Sequence, residues 1–430
     1  MGARAVAETA AQVPPVAETR ASPAPSPSPG RTAAGLAALL VETAHAHPQR
    51  TVLRDAGNRA AWCRRPAITW TYAAAAEIVG RLARGLGAWR LSAGSRIGVW
   101  FSGGAEAALA HLAVEAAGHL PCLMPAGWGA EALSAGIEAA GLDAVLTEGQ
   151  RGGRRPAEEL ALAAVRHFGL RYLAAFGPGI PDGVISLDAM ALERGAAAPT
   201  PSLGLVTFAG GDPGRPVYRT AAALAAAVAA HLDALPVTGS ERILTLLPPH
   251  DLRGLVTGLA AALAGGAALE SLIPFEEAAF RASLARPVPT RLVIPALVEP
   301  ALAGLALPRT VRALDVVHRA PARLAGRPGP DPAGPLRLDA LALDEDAVLT
   351  RPRGPADLAA ALALPEHADW PRPLLALARA ADGHLLVRGP ACAAAPLGRN
   401  APVGPDPAAW RDSRYRPTLT GGTVTGVAPA

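Results

Sequence analysis

"GSRIGVWFSGGAEAALAHLAVEAAGHLPCLMP", residues 94–125, joins two short apolar runs through an alanine-rich stretch of helical period. "RIGVWF" (96–101) and "HLPCLM" (119–124) have strand length, and "AEAALAHLAVEAAG" between them carries small apolar residues on every turn. A second unit follows directly, with the helical "AEALSAGIEAAG" leading to "DAVLTE" (143–148). Strand, helix, strand, helix, strand at this pitch predicts parallel strands, because parallel neighbours can be joined only by a crossover. The chain is therefore expected to be α/β.

The alternation extends in both directions. Upstream, "GLAALLVETAHAHP" reads as an amphipathic helix stopped by Pro48. Downstream come "GLVTF" (204–208), a helix after Thr220, "RILTLL" (242–247), the helical "RGLVTGLAAALAGG", then "AALESLI" and "TRLVI" (290–294). Beyond about residue 320 the pattern weakens into a Pro/Gly-rich loop, strands at "LRLDALAL" and "GHLLVRG" (383–389), and a hairpin arm at "GGTVTGVA". The expected organisation has four parts: a disordered Ala/Pro/Ser-rich tail at 1–33, a first α/β subdomain at 34–200, a second at 201–345 and a β-rich portion at 346–430. Two stacked βαβ subdomains with mostly parallel sheets thus precede a smaller β-rich part.

Composition narrows the function. Half of the 430 residues are hydrophobic but only 4% are aromatic, so small side chains must fill the core. All 40 basic residues are arginine and none is lysine; the net charge is +4. The arginines are scattered, which argues against a nucleic-acid-binding face. Cys63, Cys122 and Cys392 fit no metal or redox spacing, and His45 and His47 are expected on a solvated helix end. No apolar run approaches the ~18 residues of a membrane span, and no secretory leader is evident. A cytoplasmic, reduced protein is the expectation.

"LVTFAGGDPGRPVYRT" (205–220) has the outline of a phosphate loop, an apolar strand entering a Gly/Pro turn ahead of a helix. Read from the residues alone, it is either a turn with Thr220 as helix cap or a nucleotide loop with altered contacts.

In order, several segments resemble the large N-terminal domain of the adenylate-forming superfamily of acyl-CoA synthetases and adenylation domains. They are "ITWTYAAAAEIVGRLARGL" (68–86), the 94–125 unit, "LPPHDLRGLVTGLAAALAGGAAL" (247–269), "TRLVIPALVEPAL" (290–302) and "DGHLLVRGP" (382–390). The resemblance implies ATP-dependent activation of a carboxylic acid through an acyl-adenylate, with AMP or ATP and Mg²⁺ as the cofactors. It places the phosphate loop at Gly210, Gly211 and Gly214, with Val217 at the lysine position and the hydroxyl donors replaced. Asp212 brings a negative charge and Pro213 removes an N–H. Arg215 and Arg219 are the candidate substitutes, since arginine binds phosphate well.

The resemblance assigns the metal-binding glutamate to Glu345, beside Asp344 and Asp346. This acidic trio reads either as a solvated loop or as carboxylates for a hard cation. His250 is the candidate acyl-pocket residue, with a purely structural role as the alternative. The ribose-binding aspartate has no well-placed counterpart; Asp412 is the one acid near its expected position. The family's small C-terminal domain, with its catalytic lysine, is expected to be absent.

Three readings stay open. The chain is a pseudoenzyme that keeps the fold and an adenylate or acyl pocket, an acid–thiol ligase working alone or with a protein partner, or a scaffold.

Overall fold

The computed structural model describes residues 34–302, 304–364, 369–370, 373–392, 394–398 and 404–430. The tail expected at 1–33 lies outside them. Two eight-stranded sheets dominate. In the first, the parallel strands run in the order Leu205–Phe208, Leu120–Leu123, Arg96–Trp100, Ala144–Glu148, Tyr172–Phe176 and Ile185–Ser186. Antiparallel Pro216–Arg219 and Ala394–Pro396 extend one edge. In the second, the parallel strands are Leu336–Leu343, Val311–Arg319, Thr290–Pro295, Arg242–Thr245, Ala268–Ser271 and Thr51–Asp55. An antiparallel strand closes each edge, Ala347–Pro352 and Thr69–Thr71. The α/β reading holds, with mostly parallel sheets and small antiparallel sheets near the C-terminus.

Sheet membership cuts across the sequence. Thr51–Asp55 belongs to the second sheet although it precedes every strand of the first, and Ala394–Pro396 returns to the first sheet after every strand of the second. The chain therefore passes between the two sheets three times.

A layer of helices lies against both sheets. Gly104–Ala116 is buried along nearly its whole length, and Ala221–Ala234 and Ala260–Gly265 bury most of their residues. A helix buried on all sides belongs in an interior, and Gly104–Ala116 takes Glu106, His111 and Glu115 inside with its apolar residues. Alanine suits this place, because a helix with little side-chain bulk lets two sheets approach a shared layer. One continuous hydrophobic cluster accordingly includes Val52 and Leu53 of the second sheet, Ile97 and Val99 of the first, and Ala107 to Ala110 between them.

Candidate functional site

Two turns meet at the carboxyl ends of the parallel strands, the usual place for ligands in such sheets. The first follows Leu205–Phe208. Ala209–Gly211 forms a single tight turn in which Gly210 and Gly211 have φ of 69° and 72°, a left-handed backbone that glycine adopts without strain. The chain then folds back as Pro216–Arg219, so the glycine stretch is the tip of a hairpin, with Phe208 facing Pro216. The helix begins only after Thr220, whose hydroxyl accepts from the Ala223 amide at 3.1 Å and caps it.

Most amides of this turn are already engaged. Ala209 N donates to Arg215 O, Asp212 N to Ala209 O and Arg215 N to Asp212 O. Gly214 N donates to the Asp212 carboxylate at 2.9 Å. Asp212 is thus folded into its own turn. The carboxylate that enters the loop from outside is Asp344, which accepts from Gly210 N at 2.6 Å. Arg215 and Arg319 flank it at 3.4 and 3.8 Å. A Cβ at Gly210 would stand 3.6 Å from one guanidinium and 3.8 Å from the other. From below, Trp128 donates its indole N–H to Gly211 O at 2.9 Å and packs edge-on against Phe208.

The second turn carries the acidic trio between Leu336–Leu343 and Ala347–Pro352, and its three acids point three ways. Asp344 reaches Gly210 from a left-handed conformation (φ 50°). Glu345 points inward, where its Oε2 accepts from the Thr207 hydroxyl at 2.7 Å and the Leu252 amide at 3.0 Å. Burial, reinforced by the charge of Asp251, pushes the Glu345 carboxyl up to about 8. Asp346 faces Arg411 at 3.9 Å. Among the described residues no group of His, Cys, Asp and Glu is gathered as a metal site.

Arg219 is buried, its guanidinium bound to the carbonyls of Ala391, Glu345 and Asp346. It ties the hairpin to the acidic turn, whereas Arg215 stays 45% exposed at the loop's open side. His250 lies just before Asp251, the cap of the helix that begins at Leu252. Its buried Nδ1 has no hydrogen-bond partner among the described residues. Burial, with Arg253 and Arg319 adding to it, pushes this imidazole below the usual histidine range. Asp412 turns away to His384, at 2.9 Å.

The structure therefore brings Gly210, Gly211, Arg215, Arg219 and Glu345 to one junction. Sequence reasoning missed Arg319 and Trp128. Arg319 could have been noticed only as an arginine closing an apolar strand, and Trp128 as an aromatic between two glycines.

Two mostly parallel sheets sharing a helical layer, with small antiparallel sheets near the C-terminus, are consistent with the fold of the adenylate-forming enzymes. Residues 40–190 match the family model described as AMP-binding enzyme. A protein from Rhodopseudomonas palustris provisionally assigned as a long-chain-fatty-acid CoA ligase has the same fold. Its TM-score is 0.67 at 16% identity, over 92% of this chain and 98% of that one. Mycobacterium smegmatis MbtA gives 0.64 at 19%, over 92% and 75%. O-succinylbenzoate coenzyme A synthetase from Bacillus subtilis, in complex with ATP and magnesium ion, gives 0.63 at 15%, over 90% and 98%. At these identities the likeness is one of fold. No curated protein matches the sequence. Among the described residues no helix is long and apolar enough to cross a membrane.

Proposed function

We propose that this chain is a pseudoenzyme of the acyl-CoA synthetase type. On this reading it keeps a pocket for an adenylate or acyl ligand and does not by itself form an acyl-adenylate. The observation that carries the reading is Glu345, at the position the resemblance gives to magnesium. Its carboxyl is turned inward, where Oε2 accepts from the Thr207 hydroxyl and the Leu252 amide, and burial pushes it above the usual carboxylate range. Hard cations take free carboxylate oxygens, and a carboxyl whose Oε2 is already engaged by two donors is turned away from that role.

The loop agrees. Most of its amides donate within the turn or to Asp344, and the lysine position is Val217. On this reading the residues present do not fit a magnesium-bound triphosphate. The Gly210 hairpin, Arg215 and His250 are the residues proposed to face a bound small molecule.

Acid-dependent ATP–pyrophosphate exchange by the purified chain tests the reading, with no exchange above a blank expected. Calorimetry should show AMP or an acyl-adenylate mimic binding at least as well as ATP. Exchange that disappears in Arg215→Ala would overturn the proposal in favour of an active ligase with arginine in the lysine's role. The half-exposed guanidinium of Arg215 is the observation on that side. If no adenylate ligand binds at all, the pocket part of the proposal fails and a scaffold role replaces it.

A further inference from the structure

Asp344 sits where a ligand would. Its carboxylate takes the outward N–H of the glycine turn at 2.6 Å and lies between two guanidiniums that come from different parts of the chain. Arg215 belongs to the hairpin itself, while Arg319 ends the strand Val311–Arg319 of the other sheet. A backbone N–H in a left-handed glycine turn with two arginines converging on it is the donor set that recognises an oxyanion.

The bonds are unequal in a telling way. The amide bond is short, but both arginine approaches are long, and these side chains are 45% and 35% exposed. Two positive charges face one carboxylate. The neighbouring acids do not balance the excess, since Glu345 points inward and Asp346 faces Arg411.

We propose that Gly210 N–H, Arg215 and Arg319 form an oxyanion seat, and that Asp344 is its built-in occupant, closing it to free phosphate-class anions in the resting protein. Arg319 is the part of the seat that the second sheet supplies, so the seat exists only where the two sheets meet. Asp344 competes as a tethered group, at an effective concentration no millimolar ligand easily exceeds. Removing it should leave a doubly positive, half-exposed site with a free amide. The seat is part of the pocket proposed above, and the inference rests on that reading.

Asp344→Gly is the direct test, because glycine accepts the φ of 50° at this turn and carries no carboxylate. Calorimetry with inorganic phosphate, pyrophosphate and AMP is run on wild type and variant at one fixed ionic strength. The variant is expected to bind pyrophosphate about tenfold tighter or more, the scale of one additional charge-assisted hydrogen bond. Arg319→Ala in the Asp344→Gly background should return the affinity to the wild-type level. A gain for AMP equal to that for pyrophosphate would identify a nucleotide phosphate as the guest, and a gain for inorganic anions alone would identify a free oxyanion; both support the seat. Asp344→Asn, which tolerates a left-handed backbone and removes only the charge, gives a second reading with a several-fold gain expected. Equal pyrophosphate affinity in wild type and a folded variant overturns the proposal, as does a gain that survives Arg319→Ala.

Discussion

Asp339 and Asp344 share one hairpin, and both are held by arginine, yet they are different kinds of group. Asp339 is fully buried. It accepts from His318 at 3.0 Å and from Arg353 through both oxygens at 2.6 and 3.0 Å, and Arg327 adds a further bond. Arg353 in turn reaches Glu299 at 2.6 and 3.1 Å, and Arg337 joins there. Donors and acceptors meet reciprocally, each carboxylate bound by more than one arginine at short distance. Asp344 has one short bond to an amide and two long ones to half-exposed side chains. Closed, reciprocal geometry marks a structural ion pair, and an open, unequal one marks a place that can be exchanged. An arginine count would have treated the two alike.

The largest effect should follow from breaking the closed network. Arg353→Ala leaves Asp339 and Glu299 buried and each short of its main partner. Losing one member of such a pair costs about 3–5 kcal/mol. Urea unfolding should show a large fall in midpoint with little change in slope. A loss under about 1 kcal/mol would end the distinction drawn between the two aspartates.

Acid sensitivity comes next. Burial alone would raise Asp339, but the bonds from His318 and Arg353 and the charges of Arg353 and Arg327 override it and hold the carboxyl at about 2. A depressed acid contributes stability that is present above its unfolded value near 3.9 and is lost as pH falls through about 2. The expected contribution is on the order of 2 kcal/mol. Stability measured between pH 4 and 2 should therefore fall less steeply in Asp339→Asn than in wild type. Equal slopes would show that the network does not depend on this charge.

Glu345 provides the opposite sign inside the candidate site. Its carboxyl is raised to about 8 by burial and by Asp251, against the bonds from Thr207 and Leu252. A raised acid contributes stability that is fully present below its unfolded value near 4.3 and is lost as pH climbs through about 8. Glu345→Gln keeps an acceptor for both donors and has no charge to acquire. It should match wild type near pH 4 and exceed it increasingly as the pH rises to 9, by more than about 1 kcal/mol. A variant that is weaker at both pH values would indicate that the charged carboxylate is needed, which would also weaken the pseudoenzyme reading.

What the sequence disclosed and what it hid follow from the range of the interactions. The 94–148 units were legible because strand, helix and turn are each written locally, and Thr220 announced its cap three residues ahead of Ala223. Val311–Arg319 was not legible, although it is a nine-residue strand at the heart of the second sheet. Arg312, Asp315 and His318 break its apolar pattern. Asp315 is buried because Arg291 meets it from the next strand, and His318 because Asp339 does. A buried charge reads as a surface residue until its partner is known. The stitching of the two sheets was hidden for the same reason, since Thr51–Asp55 pairs with Ala268–Ser271 across most of the intervening chain. Within the site, the glycines, Arg215 and Glu345 were visible from the resemblance. The negative charge at the loop was placed on adjacent Asp212, whereas the structure brings in Asp344 from 134 residues away.

The smallest expected effect tests the open half of the comparison. Asp344→Asn keeps an acceptor for the Gly210 amide and a residue that tolerates the left-handed turn. What it removes is attraction to two half-exposed arginines at 3.4 and 3.8 Å. Pairs of this kind are worth roughly 0–1 kcal/mol because solvent screens them and the side chains lose entropy in holding still. The variant should lie within about 0.5 kcal/mol of wild type, and added salt should shrink even that difference, since exposed charges are screened beyond about 10 Å at 0.1 M. Asp339→Asn is the matched control, the same chemical change on the same hairpin, and it should cost several times more. Thermal melts of the three proteins at low and high salt make the test. If Asp344→Asn costs as much as Asp339→Asn and salt does not reduce the cost, Asp344 is a structural ion pair like its neighbour and not the exchangeable occupant of a seat.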